Sequence, residues 1–161
     1  MKKGILLGLV LGLMVLGTAV ESVAQHRPVL EKIWITPEVN YGSLLKLYIK
    51  ASDSEGDMKW VVVTAGRGAQ PVASVPVRLG KQMRKDLNGY VYWDTRKALL
   101  TEETSATIEV LIEDRHGNES ETKSVTVKLV PRGAKEEKPP ADFKEIAIGP
   151  VMLETDLQRT Y

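Results

Sequence analysis

Three segments of this chain alternate apolar and polar residues with a period of two, and that rhythm restricts the fold more than anything else in the sequence. In Leu44 to Ala51, Leu45, Leu47, Ile49 and Ala51 interleave with Leu44, Lys46, Tyr48 and Lys50. In Thr107 to Glu113, Ile108, Val110 and Ile112 face one way, and in Ser124 to Leu129, Val125, Val127 and Leu129 do the same. Such alternation belongs to half-buried strands with one face on a core. Between the last two segments lies Asp114-Arg115-His116-Gly117-Asn118-Glu119-Ser120, a run of turn residues whose Gly-Asn pair accepts positive φ, which predicts a hairpin.

Weaker strand signals fill the intervals: Val29 to Thr36 ahead of Pro37, Met58 to Thr64, Val75 to Leu79, and Tyr90 to Asp94 after Asn88-Gly89. No long stretch repeats apolar residues at helical spacing, and only Thr95 to Leu100 suits a turn or so of helix. An α/β fold requires crossover helices, and the sequence offers none. The expectation is an all-β, seven-stranded sandwich of two facing sheets over residues 25–130.

The chain contains no cysteine, so burial alone must hold this sandwich together. That is feasible because the length well exceeds the roughly 70 to 80 residues below which small domains need staples. A dozen inward aliphatic side chains at about 1.5 to 3 kcal/mol each supply a few tens of kcal/mol, most of which conformational entropy cancels.

The first residues have a different character. Met1-Lys2-Lys3 precedes the apolar run Gly4 to Gly17, and Ser22 and Ala24 are small residues two apart. That order is a secretory signal with cleavage after Ala24, so residues 1–24 are expected to be removed. The apolar stretch to Val20 is about 17 residues, at the low end for a membrane anchor, and Gln25 stands where a lipid anchor needs cysteine. The chain is therefore expected to be secreted, or to reside in the periplasm or cell envelope, touching membrane only through its signal. The formal charge is +1, and loss of Lys2, Lys3 and Glu21 brings the mature chain near zero. A neutral chain exerts no long-range pull on nucleic acid.

Several strand-end motifs now combine: Ala51-Ser52-Asp53-Ser54-Glu55-Gly56-Asp57 after an alternating strand, Trp60 in the next, Asn88-Gly89-Tyr90-Val91-Tyr92-Trp93, and Val110 to Asn118 before a final Val-x-Val strand. Over about Pro28 to Val130 this resembles the bacterial immunoglobulin-like and cadherin-like domains of exported proteins. The resemblance implies a core position for Trp60, and the missing cysteine pair sets the chain apart from antibody domains.

The chemistry-bearing residues are few. There is no cysteine nucleophile, only His26 and His116, and no Gly-x-Ser-x-Gly, His-Glu-x-x-His or phosphate-cradling glycine loop. A non-catalytic module follows. Asp53, Glu55, Asp57, Asp114 and Asn118 fall in two loops that share one end of an immunoglobulin-like sandwich, with Asp86 and Asn88 nearby. They are candidate calcium ligands, although the same letters are ordinary turn chemistry. Arg78, Lys81, Arg84 and Lys85 form a local basic cluster, either an anion site or a solvated loop. Alternation sends Tyr90 and Tyr92 to one face and Trp93 to the other, so one set is exposed and suits either carbohydrate stacking or cross-strand packing.

After Val130 the sequence becomes charged and proline-bearing, which marks residues 131–142 as a linker. Beyond it, in residues 143–161, Phe143, Ile146, Ile148, Val151, Leu153 and Leu157 are apolar. This tail is expected to pair with a sheet edge, either its own or that of a protein partner or second copy.

Overall fold

The inward aliphatic rows meet as anticipated. A computed structural model of the chain describes residues 26–67, 70–95, 103–135 and 137–152; the expected signal segment, most of the stretch Thr95 to Leu100 where a helical turn was expected, Leu153 and Leu157 lie outside these. The fold is all-β, with strands in two sheets. The first sheet runs in the order β1 (Val29–Ile35), β3 (Leu44–Ser52), β7 (Asp86–Asp94), β10 (Ala147–Pro150). The second runs β2 (Glu38–Asn40), β9 (Lys123–Val130), β8 (Thr104–Asp114), β4 (Met58–Arg67), β5 (Gln70–Ala73), with β6 (Val77–Arg78) also on β4. Neighbours are antiparallel except for β2 on β9 and β10 on β7, which are parallel.

Leu45, Leu47 and Ile49 of β3 and Val91 of β7 share one cluster with Val61 and Val63 of β4 and Ile108, Val110 and Ile112 of β8. All are 0 or 1% exposed. The two sheets are thus joined by a continuous apolar layer, the arrangement that alternation requires.

Pro37 explains why one predicted strand became two. Proline has no N–H for a ladder, so β1 leaves the first sheet at Ile35. The Pro37 carbonyl then accepts the Lys128 N–H at 2.8 Å, which starts β2 along β9. The β8–β9 hairpin forms as expected, and Gly117 takes φ +85° in its connection, where a side chain would be strained.

Seven strands were anticipated and ten occur among the described residues. β2 and β5 are too short to show a period, β6 keeps only two residues of Val75 to Leu79, and β10 comes from the tail. β7 begins at Asp86, so Asn88-Gly89 lies inside the strand and not in a turn before it. Trp60 is also not a core residue. A bulge between Met58 and Trp60 turns both Met58 and Val61 inward, leaving Trp60 half-buried on the other face with the Lys59 ammonium 5.2 Å from its ring.

Candidate functional site

Among the described residues, two places bring chemistry-bearing side chains together. The first is the end of the sandwich where the β3–β4 loop meets the β8–β9 connection. Asp53 is 4% exposed and accepts the Asp57 N–H at 2.9 Å, closing its own loop. Asp114, fully buried, accepts the N–H groups of His116 at 2.7 Å and Asn118 at 2.9 Å, and the Asn118 side-chain amide at 2.7 Å. Burial pushes the Asp114 carboxyl upward, but the Asn118 amide and these N–H donors outweigh it and hold the group below the ordinary carboxylate range. Asp57 behaves oppositely: burial, the adjoining Asp53 carboxylate and the Asp114 charge raise it, and His116 opposes them.

The five candidate calcium ligands do converge, but with their oxygens differently employed. Those of Asp114 and Oδ2 of Asp53 serve the loops that carry them. The groups that remain closest are Glu55, Asp57 and His116, whose ligand atoms lie within 4.8 Å of one another. His116 belongs to this group because its Nδ1 sits 2.9 Å from Asp57 Oδ2. Sequence separation hid that contact.

The second place is the outer face of the first sheet. Tyr90 and Tyr92 point away from the core as alternation required, whereas Trp93 packs against the core cluster. The residues after Val130 return across this face. Phe143 is 8% exposed and its ring centroid lies 5.8 Å from that of Tyr48, which in turn contacts Trp34 at 5.6 Å and Tyr90 at 5.3 Å. Tyr48, outward on β3, is consequently only 3% exposed. Asn88 brackets Phe143: its amide donates to the Asp142 carbonyl and its oxygen accepts the Lys144 N–H, both at 2.9 Å. Lys32 pairs with Asp142 at 3.1 Å. Glu145 takes the Tyr48 hydroxyl and, at 3.0 Å, the Lys46 ammonium, while Lys46 also sits 4.6 Å from the centroid of the Tyr90 ring.

From Ile146 the tail drops over the edge of the sheet. The Tyr90 N–H donates to the Ile146 carbonyl at 2.8 Å and the Val151 N–H to the Tyr92 carbonyl at 2.7 Å. Ile148 and Val151 reach the core cluster, while Ile146 is 44% exposed. Of the proposed partner-binding residues, Phe143, Ile148 and Val151 therefore engage their own chain, and Leu153 lies outside the described residues. The linker is also engaged: the Ala134 N–H donates to Asn40 Oδ1 at 3.0 Å.

Gly89 makes the crossing possible. A Cβ there would lie 2.5 Å from the Ile146 carbonyl oxygen and 3.3 Å from Ile148. The oxygen belongs to backbone, so the tail and not a rotamer must yield. Gly89→Ala is expected to displace residues 146–151 and to cost about 1 to 3 kcal/mol, as overpacking does. Hydrogen exchange at the Tyr90 and Val151 amides reads it, and unchanged protection would refute it.

Acid should loosen the same contact. Hydrogen bonds from Tyr48 and Lys46 hold Glu145 below its ordinary 4.5, and Lys32 holds Asp142 below 3.8. Groups lowered on docking contribute above their ordinary pKa and lose that contribution as pH falls through the lowered value. Tail protection against carboxypeptidase-type or limited proteolysis, assayed with an acid-active protease, is expected to be constant from pH 7 to 5 and to decline below about pH 4.5.

No protein-family model matches the chain, and no curated protein matches it either.

Proposed function

We propose that the two sheets form an immunoglobulin-like sandwich, with β10 added beside β7, and that the chain is an exported, non-catalytic interaction or structural module of the cell envelope or extracellular space. It engages a protein partner or a second copy through its C-terminal arm and the sheet edge that the arm occupies. The observation that carries this reading is the arm itself. Asp142, Phe143, Glu145 and Ile146 each meet a matched group on the outer face, namely Lys32, Tyr48, Lys46 and the Tyr90 N–H. That is recognition of a short extended segment by side-chain pockets and main-chain bonds at a sheet edge. The arm is tethered through 131–142, so the same contacts are available to the arm of another copy.

The absence of cysteine gives a clean test. Lys46→Cys and Glu145→Cys variants of the mature protein, mixed at high concentration and treated with a short bismaleimide, are expected to give a covalent 46–145 heterodimer. Mixing Glu145→Cys with a Ser124→Cys control should not. Equal yields from both mixtures would remove the arm as a contact between chains.

Carbohydrate binding is a second reading, favoured by a groove of about 450 Å³ beside the arm. Trp34 lines it with Asn40, Lys46, Glu38 and Glu145, an aromatic surface ringed by polar groups. Tyr90 and Tyr92 do not line it. A glycan array on the wild type and Trp34→Ala distinguishes this reading: binding that survives the substitution places sugar elsewhere.

A further inference from the structure

The chain has two histidines, separated by most of the sandwich in sequence, and both arrive at the same pair of carboxylates. His116 Nδ1 is 2.9 Å from Asp57 Oδ2, and His26 Nδ1 is 3.7 Å from Glu55 Oε1. The ligand atoms of Glu55, Asp57 and His116 are mutually within 4.8 Å. Ligands bound at about 2.0 to 2.1 Å in a tetrahedral site lie roughly 3.3 Å apart, so small side-chain adjustments bring these atoms to bonding distance. His26 and Glu55 lie on exposed segments and can make such adjustments.

The electrostatics of Asp57 favour a cation here as well. Asp57 Oδ1 is shielded from solvent and has no hydrogen-bond partner. Unpartnered buried carboxylate oxygens are costly, and the neighbouring Asp53 and Asp114 add negative charge around this one. A bound proton or cation would relieve that crowding of negative charge.

We propose that Asp57, His116 and Glu55, with His26 as a fourth ligand, bind a divalent transition metal such as Zn²⁺ at this end of the sandwich. Two imidazoles and two carboxylates suit zinc, nickel or copper, whereas calcium takes six to eight oxygens. The oxygens calcium would need from Asp114 are committed to N–H donors. Bound metal would join the N-terminal segment, the β3–β4 loop and the β8–β9 connection, the ends of three otherwise separate pieces of chain. This site is independent of the arm, so its failure leaves the proposed function standing.

The test is titration of the tag-free mature protein, after chelator treatment, with Zn²⁺ and separately with Ca²⁺. One Zn²⁺ per chain is expected at micromolar affinity or tighter, with a melting temperature raised by several degrees and no response to Ca²⁺. His116→Ala should weaken Zn²⁺ at least tenfold, and Asp57→Asn comparably. Because only two imidazoles are present, the His116 ring resonances of the wild type report binding directly and need no variant. Unmoved His116 resonances at millimolar Zn²⁺, affinity indifferent to His116→Ala, or a preference for Ca²⁺ would each overturn the proposal.

Discussion

Phe143→Ala is expected to free the C-terminal arm while the sandwich beneath it stays folded. The ring is nearly buried against Tyr48 and lies 5.3 Å beneath the Lys32 ammonium. Truncating a buried phenylalanine costs about 3 to 5 kcal/mol. The remaining contacts do not replace it. The Lys32–Asp142 and Lys46–Glu145 pairs are well exposed, and pairs of that kind contribute little once the side chains between them are gone. Limited proteolysis should then cut within 131–142 far faster than in the wild type. Circular dichroism should retain its sheet signal, with a single but lower melting transition because Ile148 and Val151 leave the core. A variant as protease-resistant as the wild type would show that the Asn88 bracket and the β7 edge hold the arm without the ring.

Asp114→Ala is expected to loosen both loops at the β3–β4 and β8–β9 end of the sandwich. It removes one carboxylate and strands three donors, the N–H groups of His116 and Asn118 and the Asn118 amide. A buried donor left without a partner costs about 1 to 3 kcal/mol; these donors are only part-buried, so entering water replaces some of the lost bonds and the total is about 3 kcal/mol. Asp114→Asn keeps one carbonyl oxygen and should lose about half as much. Because the native Asp114 carboxyl sits below its ordinary 3.8, its contribution is complete at neutral pH and is lost only as pH falls through that lowered value. Urea titrations at pH 7 measure both variants; equal midpoints for Ala and wild type would mean the loop finds other acceptors.

The parts of this architecture visible in the sequence are those with a repeat. Leu45, Leu47, Ile49, Ile108, Val110 and Ile112 announce their facing by period, and each is fully buried or nearly so. The convergence of Asp53, Asp57, Asp114 and Asn118 was expected from an immunoglobulin-like topology, in which their two loops share one end. What escaped has no period to display. The Met58–Trp60 bulge reverses facing within one residue, so the core position that the resemblance implied for Trp60 goes to Met58 and Val61 instead. Phe143 is a lone aromatic among polar residues, and nothing local states that Tyr48 and Asn88 await it. Gly89 reads as a turn residue, although its actual service is to leave room for the Ile146 carbonyl. His26 lies 29 positions from Glu55 in sequence, and only the folded chain brings the two together.

The parallel pairing of β10 with β7 carries a consequence for assembly order. Asn88 and the Lys144 amide it binds are 56 positions apart, with β8 and β9 between them in sequence. The far side of β7 must therefore stay bare while its other neighbour β3 is already in place and the opposing layer is still being laid down. Pairings over such separations are slow to close, and an uncovered strand invites alternative mates in the meantime. A chain emerging in order from its N-terminus would pass through a nearly finished state lacking only its last stave, and any chaperone that shields this protein would find its foothold there.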